Sequence, residues 1–221
     1  MGNAEGGLFP YPVLYRSPRF VVIDKPGGLP VHPGPRTGRT LEDALPALTR
    51  RKDGPWLVHR LDADTSGCVL VALRKQALIA AQQAFQSRAA SKTYWAIVSG
   101  RPQGEEGDVT LTLGRRESPR GWRIVPDPEG KPARTQWRLL GTDGALSWLE
   151  LTLHTGRTHQ ARVHCAALGT PILGDPVYNP HPGDGPLRLL ARHLKVTVDD
   201  ETIEAVAPPP ASMARILNVF R

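Results

Sequence analysis

The chain is poor in cysteine and has no long apolar run. Cys68 and Cys165 are its two cysteines, and both sit inside apolar stretches. A disulfide framework or a zinc site needs more cysteines in paired spacing, so both read as small core residues of a reduced, cytoplasmic protein. No stretch approaches the ~20 apolar residues that cross a bilayer, and the N-terminus lacks the charged-then-apolar layout of a signal peptide. Position 6 is Gly6 rather than Ser or Thr, which removes a myristoylation reading of Met1-Gly2. No membrane partner is expected. G-x-G-x-x-G, the P-loop, H-E-x-x-H and C-x-x-C are all missing, which argues against a nucleotide cofactor and a structural zinc. His154, His159 and His164 recur every five residues, a spacing that does not align on one helix face, so no metal site is expected.

What the chain does have is length, glycine, proline and positive charge. Its 221 residues suffice for a full core. Gly and Pro, 22 of each, make it loop-rich without reaching low complexity. A net charge of +7 favours a polyanionic partner. The charge gathers at Arg115, Arg116, Arg120, Arg123, Lys131, Arg134 and Arg138, interleaved with Trp122 and Trp137. Cations for phosphates beside aromatic faces for bases suit RNA, so Arg115, Arg116, Arg120, Arg123 and Lys131 are candidates for its backbone.

Short strand-like runs outnumber helical ones and do not alternate with them. Strands are expected near Val13–Tyr15, Phe20–Ile23, Cys68–Leu73 and Ser91–Val98. Hairpins follow over 107–141, then strands at Ala145–Leu153, Arg192–Val198 and Thr202–Val206. Helices are expected from Leu41, over Lys75–Ala89 with Leu78, Ile79, Ala81 and Phe85 inward, over Thr158–Leu168, and from Ser212. The pattern predicts an α+β fold with a mostly antiparallel sheet. Residues 1–10 read as a flexible N-terminus and 11–221 as one domain. A monomer is the default.

Two segments carry the chemistry. His59-Arg60-Leu61-Asp62-Ala63-Asp64-Thr65-Ser66-Gly67 sets two carboxylates against an apolar strand, where they are costly to hold without a partner or a reaction. Asp62-Ala63-Asp64-Thr65 also fits the D-x-D-x-T pattern of Mg²⁺-dependent aspartyl phosphatases, but His59-Arg60 interrupts the strand such a site needs before it. The second segment, Gly156-Arg157-Thr158-His159-Gln160-Ala161-Arg162-Val163-His164, reads as turn, cap and helix. It puts Arg162 at a positive helix N-terminus, which calls for an anion such as Asp62 or a phosphate.

These residues resemble the RluA-type pseudouridine synthases. His59-Arg60-Leu61-Asp62 with Thr65-Ser66-Gly67 resembles the family's catalytic signature. In the same order along the chain come Lys25-Pro26-x-Gly28-Leu29-x-Val31-His32, Lys92-x-Tyr94-x-Ala96, Gly130-Lys131-Pro132-Ala133-x-Thr135, the Gly156–His164 segment, and Leu168-Gly169-x-Pro171-Ile172-x-Gly174-Asp175. The resemblance implies a pseudouridine-synthase-like catalytic domain, with a mostly antiparallel mixed sheet flanked by helices. It also implies a reaction that detaches uracil from ribose C1′, turns it and rejoins it through C5 in tRNA or ribosomal RNA. Nothing is oxidised or donated, so no cofactor is required.

By the same resemblance Asp62 is the catalytic carboxylate, acting on ribose or base, and Tyr94 stacks on the uracil and assists removal of its C5 proton. Arg162 pairs with Asp62. His59, Arg60, Lys92, Arg157, His159 and Gln160 would bind substrate, with Arg60 filling the space of the flipped base. Flipping costs a few kcal/mol, and one stacking side chain returns roughly 1–3 kcal/mol of it. Cys68 and Ala161 stand where larger aliphatic residues are usual, which are small packing changes. An S4-like domain of the kind some members carry is not expected before residue 11. The remaining alternatives are the aspartyl phosphatase and an RNA-binding module without activity.

Overall fold

The computed structural model describes residues 9–34, 38–87, 89–118 and 121–220. Most of the expected flexible N-terminus, and Arg120, lie outside the described residues. The strands are β1 (Val13–Arg16), β2 (Phe20–Lys25), β3 (Trp56–Leu57), β4 (Ser66–Ala72), β5 (Ala90–Ser99), β6 (Glu106–Ser118), β7 (Gly121–Pro126), β8 (Lys131–Thr142), β9 (Leu146–Leu153), β10 (Leu189–Val198) and β11 (Glu201–Val206). The helices are α1 (Leu41–Ala44), α2 (Lys75–Gln86), α3 (Gln160–Ala167) and α4 (Ala211–Leu217). The expected α+β class is what forms, with antiparallel pairing at β1–β2, β2–β4, β5–β9, β6–β7, β6–β8 and β8–β9. No helix among the described residues is long and apolar enough to cross a membrane.

The chain packs as two compact units. One comprises the described residues up to Ala90 together with Leu194–Ala207. Its centre is β4, buried at every position between β2 and the C-terminal half of β10, with β3 pairing β4 and β11 pairing β10. Both faces of β4 are covered, which explains why its sequence is a continuous apolar run rather than an alternation. The Cys68 thiol is buried there with its sulfur 3.6 Å from the Ala205 carbonyl oxygen. On α2 the inward stripe is Ala77 and Ala81, with Leu78 and Phe85 half-buried, while Ile79 is 49% exposed. Ile79 lies about 200° round the helix from Ala77, so periodicity in apolar type alone placed it on the wrong side.

The other unit holds Ser91–His193 and the described residues from Pro208. Its strands run β10, β5, β9, β8, β6, β7. On β8 alternation is strict: Ala133, Thr135 and Trp137 are buried and Arg134, Gln136 and Arg138 exposed. The buried face receives α3, whose Ala161 and Cys165 pack with Trp137, Leu149 and Leu151, and whose Val163 packs with Leu113 and Ala133. Burial pushes the Cys165 thiol up to about 12, so it stays a neutral core group. The hairpin strands β6 and β8 run several residues beyond their apolar stretches, because ladder hydrogen bonds continue where one face meets water.

The loop after α3 is tied to this sheet. Leu173 N–H donates to the Ile97 carbonyl at 2.9 Å and Gly174 N–H to the Pro182 carbonyl at 2.7 Å. Gly174 has a φ of +78°, and a Cβ there would lie 2.1 Å from the Pro186 carbonyl oxygen. Gly174→Ala is therefore expected to destabilise the protein by more than the ~1–2 kcal/mol of the left-handed conformation alone, because backbone must also move. Urea unfolding midpoints check this; a midpoint equal to the native one would show that the loop yields freely.

Candidate active site

In the first unit, the segment before β4 makes a tight turn in which Thr65 N–H donates to the Asp62 carbonyl at 3.2 Å. Asp62 is half-buried, whereas Asp64 and Arg60 are exposed. His59 is anchored rather than loose: its Nε2 accepts the Leu70 N–H at 3.0 Å, and its ring stacks on Phe85 at 5.0 Å. Accepting at Nε2 fixes the neutral ring as the Nδ1–H tautomer.

Beneath the Asp62 turn lies Lys25, fully buried at the end of β2. Its ammonium donates to the carbonyls of Pro26, Leu29 and Ala63, each at 2.8 Å. Gly28 N–H donates to the same Ala63 oxygen at 2.9 Å. Burial pushes the Lys25 pKa down to about 8, against the charges of Asp64 and Asp62, which favour the ammonium. All three donor positions of the amine are spent on backbone, so Lys25 fixes the turn rather than acting on a substrate. In the sequence Lys25 is one residue of the Lys25–His32 motif, and its place at the end of the apolar run Phe20–Ile23 is the signal of its burial.

In the second unit, β5 presents Tyr94, Ala96 and Val98 to the core that also holds Ala161. Trp95 takes the other face, edge-on to Trp148 at 4.6 Å with the Arg192 guanidinium 4.3 Å from its ring centre. This is the division of faces the strand period predicts. Lys92 shares the Tyr94 face, and burial pulls its pKa below the usual lysine value. A Cβ on Gly156 would come within 3.3 Å of the Lys92 ammonium, so the bare glycine makes room for it.

The turn leading into α3 is held by Gln160, which is 2% exposed. Its Oε1 accepts from the Thr155 hydroxyl at 2.6 Å and the Arg157 N–H at 3.1 Å. Its Nε2 donates to the Arg134 carbonyl and the Thr135 hydroxyl, both at 2.9 Å. Gln160 is therefore a structural clasp between turn and sheet. His164 Nδ1 lies 2.9 Å from the same Thr135 hydroxyl, and burial pulls the His164 pKa down to about 4. It is a neutral core residue.

Arg162, in the first turn of α3, is 3% exposed, and its Nε and Nη2 donate to Asp175 at 2.8 and 2.7 Å. An arginine at a helix N-terminus needs an anion beside it, and Asp175 supplies one in a fork-on-fork pair. Asp175 Oδ1 also accepts the N–H groups of Val177 and Tyr178, at 2.9 and 3.1 Å. Burial alone would raise the Asp175 pKa, but the Arg162 bonds and charge and these two amides hold it below the usual carboxylate range.

The Tyr178 ring lies 5.2 Å from the Arg162 guanidinium carbon. Its hydroxyl accepts the Ile124 N–H at 3.0 Å and meets His159 Nδ1 at 2.8 Å. His159 in turn stacks on Trp122 at 5.2 Å and holds a φ of +53°, a conformation a non-glycine residue keeps only when its surroundings fix it. Tyr178 and His159 thus fasten the β6–β7 hairpin to the head of α3. Asp175 and Tyr178 were missed as functional residues because their partners lie elsewhere in the sequence.

The structure sorts the arginine-rich region. Arg134 and Arg138 are exposed on the sheet face opposite α3, each tied at 2.8 Å to an acid, Asp108 and Glu150. Arg115 pairs with Glu117 at 2.8 Å and lies 4.9 Å from the Trp122 ring centre. Arg116 and Arg123 stand directly opposite each other on the hairpin, with no acidic partner among the described residues. Like charges in that register destabilise a hairpin by up to about 1 kcal/mol unless an anion comes between them.

A family model for RNA pseudouridylate synthase matches residues 19–167. The chain is 41% identical to an uncharacterized RNA pseudouridine synthase of Zymomonas mobilis, over 90% of this chain and 93% of that protein. It is 38% identical to the ribosomal large subunit pseudouridine synthase D of Nitrosomonas europaea, over 98% of this chain and 67% of that protein. Among solved structures, human RNA pseudouridylate synthase domain containing 4 matches with a TM-score of 0.80 at 28% identity, covering 95% of this chain and 92% of that one. Human RNA pseudouridylate synthase domain containing 1 matches with a TM-score of 0.78 at 26% identity, over 100% and 98% of the two chains. The fold is that of an RNA-modifying isomerase, and the chain belongs to the RluA-type RNA pseudouridine synthases. The phosphatase reading of Asp62-Ala63-Asp64-Thr65 falls away with it.

Proposed function

We propose that this enzyme converts a specific uridine of tRNA or ribosomal RNA to pseudouridine in the cytoplasm, as a monomer and without a cofactor or metal. The C1′–N1 bond breaks, a C1′–C5 bond forms, and the C5 proton is exchanged for one on N1, so the product is an isomer of the substrate. Asp62 is the carboxylate that acts on the ribose or the base. Tyr94 stacks on the flipped uracil and assists the C5 proton, and Arg162 supplies the cation, its guanidinium plane set by Asp175. Arg60 fills the space the base leaves, and Lys92, Arg157 and His159 hold the substrate. Arg116, Arg123 and Lys131 meet the RNA backbone, with Arg115 and Arg120 alongside.

The observation that carries the assignment of Asp62 is the Lys25 clamp. A fully buried ammonium is expensive to place, and here its hydrogen bonds join the loop after β2, at Pro26 and Leu29, to the Asp62 turn, at Ala63. A turn that only faced water would need no such anchor. Pseudouridine mapping of total tRNA and ribosomal RNA, from cells with and without the protein, tests the proposal. At least one modified uridine should disappear on deletion and return with the native chain; identical maps would refute it.

A further inference from the structure

The second unit contains a groove of about 460 Å³ on the α3 side of the β6–β7 hairpin. Its floor is apolar, made by Leu113 and the half-buried Ile124. Its walls are the turn carrying Gly130 and Lys131 and the turn carrying Arg157 and Thr158. A Cβ on Gly130 would lie 2.4 Å from the Leu113 backbone, so only a glycine lets this turn lie flat against β6 and keep the groove open.

Two cations of the walls are ready for a ligand. Arg157 is oriented by its Nε, which donates to the Pro132 carbonyl at 3.1 Å, and its terminal nitrogens have no partner among the described residues. The Lys131 ammonium likewise has none among them. Arg115, also on the wall, is already paired with Glu117, and Glu129 is the groove's one acid. An apolar floor beneath a pair of available cations does not suit a small free anion, which would leave the floor wet. It suits a phosphodiester with a base or sugar attached.

Resting on the reading of this chain as an RNA-modifying enzyme, we propose that the groove seats one nucleotide of the single strand flanking the target uridine. Its phosphate lies between Lys131 and Arg157, and its base or sugar lies on Leu113 and Ile124. Arg157 is five residues before Arg162 in the same turn-and-helix segment, so a nucleotide held there adjoins the segment that carries the reaction's arginine.

The test is fluorescence anisotropy of a short fluorescein-labelled oligouridylate with the full chain between about 50 and 200 mM salt. Lys131→Gln, an exposed position, should weaken binding roughly threefold or more and lower the slope of log K against log salt by about 0.7, one single-strand phosphate contact. Arg138→Gln removes the same charge from the opposite sheet face and should change neither. Equal effects of the two variants, or no binding by the native chain, would overturn the proposal. So would polyglutamate competing as well as oligouridylate at matched charge, which would make the occupant an acidic peptide. Photocrosslinks from a 4-thiouridine oligomer should fall in residues 113–131 or 156–158, and crosslinks confined elsewhere would also refute it. Failure of the native chain to modify cellular RNA would strike the parent reading; modification together with an insensitive Lys131→Gln would strike the groove alone.

Discussion

Asp62→Asn is expected to abolish pseudouridine formation, by a factor on the order of 10⁴ or more, the scale seen when a reacting group is removed. RNA affinity should stay within about tenfold, or ~1.4 kcal/mol, because the change is isosteric and phosphate contacts dominate binding. The turn itself should persist, since its hydrogen bond runs between backbone atoms of Asp62 and Thr65 and its anchor is the Ala63 carbonyl. A second readout follows from Lys25. Asp62 is one of two carboxylates that hold its pKa up against burial, so the amide variant should drop it further below about 8. Turnover comparable to the native enzyme would remove Asp62 from the reaction. Loss of folding, seen in thermal melts, would instead show that the carboxylate is structural.

Asp175→Asn should produce the largest loss of stability in the second unit. The carboxylate accepts four hydrogen bonds, from Arg162 Nε and Nη2 and from the amides of Val177 and Tyr178. An asparagine must turn its NH₂ toward at least one of these donors, and it takes a full negative charge from beside a guanidinium that is 3% exposed. Breaking a buried pair in this way costs about 3–5 kcal/mol, a large share of a typical 5–15 kcal/mol total. A shift of the urea midpoint at constant slope would measure it. An unshifted midpoint would mean the pair holds nothing together.

The same pair sets an acid limit. The native-state pKa of Asp175 is below its unfolded value, so its contribution is complete above the unfolded value of about 3.9 and is lost as pH falls through the lower native one. Asp175→Asn should lack that part of the acid transition.

Much of the fold could be read from local pattern. The alternation along β8 and the unbroken apolar run of β4 each report how many faces are covered, and the structure agrees on both. The Asp62 and Arg162 segments stood out because they combine charges with glycine turns beside apolar runs. Three features stayed hidden. The inward face of α2 is drawn by small alanines, whose burial is invisible to a scale that rewards Ile79. The Asp175 partner of Arg162 lies among turn residues where a lone acid looks ordinary. The arginines over 115–138 are alike in sequence, and cross-strand register alone separates the paired Arg134 and Arg138 from the opposed Arg116 and Arg123.

The Ala63 carbonyl receives both the Lys25 ammonium and the Gly28 amide, so its two lone pairs are filled by a segment some thirty-five residues earlier in the chain. One oxygen atom thereby joins two distant motifs into a single mechanical unit. A change at position 25 or 28 therefore acts directly on the backbone of the Asp62 turn.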